Sequence, residues 1–315
     1  MQRIPEKYEL EKAYKSLKSH VHLTPVLTSN YFNRCSGATL FFKCENFQRM
    51  GAFKIRGALY ALMQLDKHQR TPGVITHSSG NFAQALSLAA SMMGISAHIV
   101  MPHNAPEVKK AAVREYGGII YETGSTSLTR EKEAERIRIE KGLTFIHPSN
   151  NRNVILGNAT AAMEFVHQKS DLDYVIVPVG GGGLAAGTAL AVAYYGKNCQ
   201  TIGSEPFEAD DAYRSLLWNK IEYNKTTNTV ADGLRTFLGD ENFPIIKKYM
   251  LKIIRVEEKE IIDTMKNIWE RMKIIVEPSS AVALAAVLRE KSQFQNKKVG
   301  VILSGGNVDL KNLPF

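Results

Sequence analysis

Apolar and polar positions along the chain alternate between two periods. Short runs rich in β-branched and aromatic residues recur at 40–44, 74–77, 97–101, 118–121, 145–147, 174–179, 201–204 and 299–303. Between them lie stretches with apolar residues at helical spacing, at 57–65, 81–93, 106–116, 127–141, 154–167 and 184–195, then 261–272 followed by 279–290. This alternation predicts an α/β fold, with mostly parallel strands joined by right-handed helical crossovers. The units within 71–148 predict a small domain with its own sheet, and 1–70 together with 149–315 predict a larger one. A ligand cleft is then expected between the two, at the carboxyl ends of the strands. Residues 219–229 (Asn-Lys-Ile-Glu-Tyr-Asn-Lys-Thr-Thr-Asn-Thr) read as a surface excursion, not a domain boundary. No internal repeat or low-complexity linker is present.

Composition narrows the class. The 315 residues are 44% hydrophobic and 23% charged, which suits a soluble globular protein with a sizeable core. The net charge is +9, but Lys and Arg are scattered, with isolated pairs at Lys109-Lys110, Lys247-Lys248 and Lys297-Lys298. Without a basic block or a known reader motif, nucleic acid is not an expected partner. The basic surface instead helps to attract anionic ligands. Cys35, Cys44 and Cys199 share no metal-ligand spacing, and their odd number argues against a disulfide framework. The N-terminus carries Arg3, Glu6, Lys7 and Glu9 and has no apolar signal core. No apolar run is long enough to span a bilayer. A soluble cytoplasmic protein with no membrane partner is expected.

Five segments carry candidate chemistry. Lys54 lies in Gly51-Ala52-Phe53-Lys54-Ile55-Arg56-Gly57-Ala58, between apolar neighbours at the start of a helix. Desolvation there disfavours the ammonium and makes the amine a nucleophile. Thr76-His77-Ser78-Ser79-Gly80-Asn81-Phe82 places hydroxyls and free amides at a strand-to-helix junction, which suits a carboxylate and equally a plain N-cap at Ser79 or Asn81. Gly180-Gly181-Gly182-Gly183-Leu184 follows an apolar strand and opens a helix of small residues. Such a run points successive N–H groups at a phosphate. It also suits a tight turn or a dinucleotide fingerprint, since Glu205 lies at the required spacing of about 20 residues. Val301-Ile302-Leu303-Ser304-Gly305-Gly306-Asn307 ends an apolar strand in a hydroxyl and two glycines. Glu205-Pro206-Phe207-Glu208-Ala209-Asp210-Asp211 offers carboxylates and carbonyls to a hard divalent cation, or is simply an acidic helix start. A nucleophilic amine with a phosphate cradle is what pyridoxal phosphate requires, and the pairing of Lys54 with the glycines favours it over a dinucleotide.

In the order Gln48-Arg49-Met50-Gly51-Ala52-Phe53-Lys54, Ser78-Ser79-Gly80-Asn81, the tetraglycine, Glu205 to Asp211, Ala231-Asp232-Gly233-Leu234-Arg235, Ile275-Val276-Glu277-Pro278-Ser279-Ser280 and Ser304-Gly305-Gly306-Asn307, the chain resembles the serine racemase and short threonine (serine) dehydratase family of fold type II pyridoxal phosphate enzymes. The resemblance covers most of the chain. It implies two open, twisted, mostly parallel sheets flanked by helices, with the cofactor between a large and a small domain. It implies that Lys54 binds the cofactor covalently and that Phe53, Asn81, Gly180, Gly181, Gly182, Gly183, Leu184, Gly233, Glu277 and Ser304 surround it, Ser304 facing the pyridine nitrogen. A neutral hydroxyl there leaves the ring a weaker electron sink than a carboxylate would, which favours elimination or reprotonation over transamination. Ser78, Ser79, Asn81 and Phe82 would hold the substrate carboxylate. Ser79 would be the acid/base on the face opposite Lys54.

The same resemblance implies Mg²⁺ (or Ca²⁺ or Mn²⁺) at Glu205, Ala209 and Asp211, a homodimer, and ATP as an activator at Gln84, Lys273 and Asn307. The expected activity is serine racemisation with α,β-elimination to pyruvate and ammonia. The alternative is a dehydratase of threonine, serine or threo-3-hydroxyaspartate with little racemase activity. A second substrate carboxylate would then meet Arg130 or Arg235. The chain departs from the family pattern at Met50 and Ala52, where Thr and Ser are common, and at Phe82, where His is usual. Met-Gly-Ala variants occur among racemase and hydroxyaspartate dehydratase relatives. A C-terminal regulatory domain of the kind carried by biosynthetic threonine deaminases is not expected.

Overall fold

A computed structural model describes residues 3–315. Among them ten strands form two sheets: β1 (Val26–Thr28), β2 (Thr39–Cys44), β3 (Val74–His77), β4 (Ala97–Pro102), β5 (Gly118–Thr123), β6 (Thr144–Phe145), β7 (Tyr174–Pro178), β8 (Gln200–Pro206), β9 (Met250–Val256) and β10 (Lys298–Leu303). The larger sheet has the order β1-β2-β10-β7-β8-β9, and only the edge strand β1 runs antiparallel to its neighbour. The smaller sheet, β5-β4-β3-β6, is parallel throughout. Its strands all come from the stretch between Val74 and Phe145, while the larger sheet is drawn from both sides of that stretch.

Each expected strand overlaps an observed one, although the strand expected at 145–147 is β6, which ends at Phe145 because His147 already turns to accept from Ser149 N and Asn150 N; β1 and β9 lie outside the expectation. β1 is three residues long and half-exposed, too short for a period to register. β9 follows directly on helix Phe243–Tyr249, which is likewise absent from the expectation, so no turn residue marks where the strand begins. One boundary matters for chemistry. The helix expected from residue 57 begins at Lys54 and runs to Met63, which places the lysine at its first turn.

Core packing explains why the site elements hold still. Helix Gly183–Tyr195 is apolar on every face, and residues 183–192 are all buried. It packs against helix Arg152–Gln168, which in turn packs on helix Lys54–Met63. Glycines permit these close approaches. A Cβ at Gly157 would lie 2.4 Å from the Arg56 carbonyl oxygen, and one at Gly187 would lie 2.7 Å from the Ala159 nitrogen. The opposite face of the large sheet is covered by helices Glu258–Met272 and Pro278–Arg289. No helix among the described residues is long and apolar enough to cross a membrane.

Candidate active site

The turn before Lys54 is held by the loop after β10. Met50 (φ 54°) and Gly51 (φ 74°) both sit in the left-handed region, which reverses the chain ahead of the helix. Gly306 N donates to the Gly51 carbonyl (2.9 Å), Phe53 N donates to the Ser304 carbonyl (3.1 Å), and Ala52 forms an antiparallel bridge with Gly305. Ala52 is fully buried, and a Cβ at Gly305 would lie only 3.0 Å from the Ala52 Cβ, so a small residue suits this position. Lys54 and Ser304 therefore lie on two backbone segments locked to each other. The Ser304 side chain is buried, and its hydroxyl makes no hydrogen bond among the described residues.

Lys54 itself is partly buried. Nζ donates to the Pro148 carbonyl (3.2 Å) and lies 5.0 Å from the Phe53 ring centroid and 5.7 Å from that of Phe82. Burial pushes its ammonium down to about 8, against the opposing pull of Glu277. Near neutral pH an appreciable share of the amine is therefore free to attack a carbonyl carbon.

A polar chain ties the two serine loops together. Asn307 Nδ2 donates to the Met50 carbonyl (2.8 Å) and to Asn81 Oδ1 (2.9 Å). Asn81 Nδ2 donates to both carboxylate oxygens of Glu277 (2.9 and 3.0 Å). Burial, with Asp232 adding to it, pushes the Glu277 carboxyl up to about 7. Ser78 accepts a long hydrogen bond from Gly80 N (3.4 Å), and Ser79 sits partly buried between β3 and helix Asn81–Met92. Phe82 is buried, so an apolar ring stands beside the lysine where the family pattern has an imidazole.

The glycine turn fits a phosphate group. Gly180 to Ala185 are buried, yet their N–H groups make no hydrogen bond among the described residues. Buried amides are paired in the great majority of cases, and a helix N-terminus with free N–H groups is an anion site. The glycines are also required by what lies behind them. A Cβ at Gly181 would lie 2.4 Å from Ser149 Oγ, one at Gly180 would lie 2.9 Å from the Gly233 carbonyl oxygen, and Gly182 has φ 79°. Asn242, fully buried, fixes the turn by donating to the Gly181 carbonyl (2.8 Å). Gly233 N is held by Ser279 Oγ (3.0 Å). The free amides, the Lys54 amine and the unengaged Ser304 hydroxyl together fit pyridoxal phosphate.

Sequence reasoning missed Pro148, His147 and Asn242. His147 Nδ1 accepts from Ser149 N (3.1 Å) and Asn150 N (2.7 Å), so the neutral ring carries its proton on Nε2. Burial first, then His77 and Lys54, pushes its imidazole down to about 4; burial and Arg130 do the same to His77. Arg130 thus lies near the β3 terminus, on helix Ser127–Lys141. Arg235 bonds instead to the Thr229 carbonyl (2.6 Å from Nη2).

Glu205 and Asp211 are fully buried. Burial and the neighbouring Asp211 push Glu205 well above the usual carboxylate range, and burial pushes Asp211 up to about 7. Asp210 is spoken for by Arg214 (2.7 Å) and Arg255 (2.8 Å). Ala209 lies between them in a short turn, Phe207–Ala209. Among the described residues no group of three or more His, Cys, Asp or Glu side chains is arranged to hold a metal, so a third ligand would have to be a carbonyl such as that of Ala209. Gln84 lies one turn beyond Asn81, buried, and Asn307 bonds Asn81. No hydrogen bond or ion pair among the described residues joins Lys273 to either.

Comparison with known proteins bears on this arrangement. Residues 17–305 match the model of a family described as pyridoxal-phosphate dependent enzyme. A β-hydroxyaspartate dehydratase of Paracoccus denitrificans (strain Pd 1222) is 45% identical over 312 residues, covering 99% of each chain. A serine racemase of Dictyostelium discoideum is 44% identical, over 97% of this chain and 95% of its own. The solved structure of maize serine racemase superposes with a TM-score of 0.95 at 41% identity, over 98% of this chain and 95% of that one.

Proposed function

The chain belongs to the pyridoxal-phosphate dependent enzyme family, with the fold type II architecture, and from that premise we propose that it is a serine racemase that also eliminates water from serine to give pyruvate and ammonia. The observation that carries this reading is the joining of the Lys54 turn to the Ser304 loop by backbone hydrogen bonds, with Lys54 lowered to about 8. Full-length similarity to serine racemases supports the substrate.

Bound pyridoxal phosphate supplies the electron sink that makes the substrate Cα–H acidic. The chain's residues then do the rest. The amides of Gly181 to Leu184 would hold the phosphate, and Ser304 would offer the ring nitrogen a neutral partner instead of a charged one. Ser78, Ser79 and Asn81 orient the substrate carboxylate at the start of helix Asn81–Met92. Lys54 Nζ takes the α-proton on one face, and the Ser79 hydroxyl exchanges a proton on the other. Return of a proton from Ser79 inverts the centre; loss of the β-hydroxyl instead commits the substrate to elimination. Glu277 holds Asn81 in place throughout.

The proposal includes Mg²⁺ (or Ca²⁺ or Mn²⁺) at Glu205, the Ala209 carbonyl and Asp211. It is supported by two buried carboxylates whose neighbouring bases are already engaged by Asp210. ATP at Gln84, Lys273 and Asn307, a homodimer and a cytoplasmic location rest on the family resemblance, with three free cysteines agreeing with a reducing compartment.

A second reading, dehydration of a hydroxyaspartate, is favoured by Arg130 near the β3 terminus and by similarity to the Paracoccus enzyme. One experiment separates the readings: turnover of L-serine, D-serine, L-threonine and threo-3-hydroxyaspartate by the purified holoenzyme. Interconversion of the serine enantiomers supports the first reading. Turnover confined to hydroxyaspartate supports the second. A protein that never takes up the cofactor sinks both.

A further inference from the structure

Asn158 is a fully buried side chain in the middle of helix Arg152–Gln168, and neither its Nδ2 nor its Oδ1 has a hydrogen-bond partner. It is the one such side chain among the described residues with two unpartnered polar atoms. The other cases each leave a single atom open, on Asn46, Thr76, Thr188, Thr201, Glu258 and Ser280. A buried amide with both ends open is a group that needs an explanation, and a bound ligand or water is the usual one.

Its position supplies the explanation. Asn158 Oδ1 faces the Lys54 helix, 2.5 Å from where a Cβ would stand on Gly57, one turn beyond Lys54. Nδ2 faces the other way, 3.3 Å from the Cβ position of Gly183. Gly183 is the first residue of the helix whose N-terminal amides are buried and unpartnered. The donor end of a buried amide thus lies beside an anion cradle, and the acceptor end lies beside the helix that carries the reactive lysine. Arg56, the other base on that helix besides Lys54, is fully engaged by Glu45, Glu164, Thr160 and the His22 carbonyl.

We propose that Asn158 is a cofactor-binding residue, its side-chain N–H₂ supplying a donor to the phosphate held by the Gly181–Leu184 amides. This rests on the reading of the site as a pyridoxal phosphate site and adds a side-chain donor to a cradle otherwise made of backbone. A side-chain donor counters anion binding by the main chain alone in one respect: it recognises the phosphate from the helix-packing side, so cofactor capture and the seating of the Lys54 helix act on one group.

The test compares pyridoxal 5′-phosphate with pyridoxal, which lacks the phosphate, as probes of the apoprotein. Binding is followed by the visible absorbance of the lysine-bound chromophore, in wild type, Asn158→Ala and Asn158→Ser. Asn158→Ala is expected to weaken pyridoxal phosphate about tenfold or more, the size of a hydrogen bond to a charged group, and to leave pyridoxal within about twofold. Asn158→Ser, which keeps a donor in a smaller side chain, is expected to recover part of the loss and also serves if the alanine variant fails to fold. Equal weakening of both probes shows a packing role, and no weakening of either shows an amide satisfied by internal water; each outcome overturns the proposal. A wild type that binds neither probe refutes the cofactor reading itself, which is a different result.

Discussion

Lys54 and Arg56 stand two residues apart on the same helix, both withdrawn from water, and their surroundings are opposites. Arg56 is fully buried and makes six hydrogen bonds: to both oxygens of Glu45, both oxygens of Glu164, the Thr160 hydroxyl and the His22 carbonyl. Lys43 completes the cluster through Glu164, Gln168 and the Thr24 carbonyl. Two cations face two anions with every polar atom used. Burial alone would lower the Arg56 guanidinium, but Glu45 and Glu164 hold it above its ordinary value; Glu45 is likewise held low by Arg56 against its own burial. Lys54 has one carbonyl partner, and burial prevails. The helix is thus pinned on one side and left electrostatically unfinished on the other. A charge kept paired gives rigidity, whereas a charge left short of partners becomes reactive.

Substitution of Lys54 breaks the contrast at its reactive end. Lys54→Ala is expected to abolish the visible chromophore of the loaded protein and to lower serine turnover by at least ~10³-fold, because nucleophile and proton acceptor are lost together. Its effect on apoprotein stability should be within about 1 kcal/mol, or favourable, since a poorly paired buried amine is removed. Thermal melting of the apo form checks this. A large destabilisation would mean that Lys54 is as much a structural residue as Arg56.

Arg56→Met probes the pinned end. Removing one partner of a buried ion cluster leaves Glu45 with only the Thr24 hydroxyl and Glu164 with only Lys43, and a cost of about 3–5 kcal/mol is expected. Denaturant unfolding of the apo form measures it. Adding Glu45→Gln to Arg56→Met should recover part of the loss, because one stranded carboxylate is neutralised. If the single variant is as stable as wild type, the cluster does not hold the helix and the comparison fails.

These two residues also show what the sequence discloses. Lys54 is legible because the role proposed for it depends on neighbours in the chain: Phe53, Ile55 and the glycines around them. The same holds for the tetraglycine and for the Ser304 loop, where a strand period ends in small residues. Arg56 stands inside the same motif, yet nothing local marks it as the centre of a cluster. Its partners, Glu45 and Glu164, are brought to it by β2 and by helix Arg152–Gln168, and pairing across 108 residues has no local signature. Pro148 and Asn242 were hidden for the same reason. Pro148 acts through a carbonyl, which carries no sequence signal, and Asn242 acts by reaching the Gly181 carbonyl from another loop. The glycines of the turn are legible as a candidate phosphate loop, but the sequence shows only half of why they are needed: their missing side chains also make room for Ser149, Gly233 and Asn242 behind the turn. β9 was missed because helix Phe243–Tyr249 runs straight into it, so no turn residue separates the two periods.

A smaller effect sharpens the reactive end by separating the two proton-transfer groups proposed for it. Ser79→Ala leaves Lys54 and the polar chain through Asn81, Asn307 and Glu277 intact. Interconversion of serine enantiomers is expected to fall by about 10²-fold, the lower range for loss of a positioned acid/base, while elimination from L-serine persists. Parallel assays of D-serine and pyruvate formation check this. Undiminished D-serine formation would remove Ser79 from its role and leave Lys54 as the only group that exchanges the α-proton.

The smallest expected effect is the most direct measure of how far Lys54 differs from a solvated amine. An ordinary lysine, near 10.4, is almost wholly charged at pH 7 and at pH 9. With the Lys54 ammonium lowered to about 8 by burial, about a tenth of the amine is neutral at pH 7 and about nine-tenths at pH 9. Only the neutral amine attacks an aldehyde, so the rate at which apoprotein captures pyridoxal 5′-phosphate should rise about tenfold over that interval, with its midpoint near pH 8, and then level off. Stopped-flow absorbance of the apoprotein follows it, with the probe's own ionisation measured separately on free lysine. A rate still climbing at pH 10 would place Lys54 with ordinary lysines, and the unfinished side of the helix would have to be explained without a perturbed amine. The Arg56→Met variant completes the series if it stays folded: its capture rate should keep a midpoint near pH 8, because Glu277, not the Glu45–Glu164 pair, is the acid that opposes burial at Lys54.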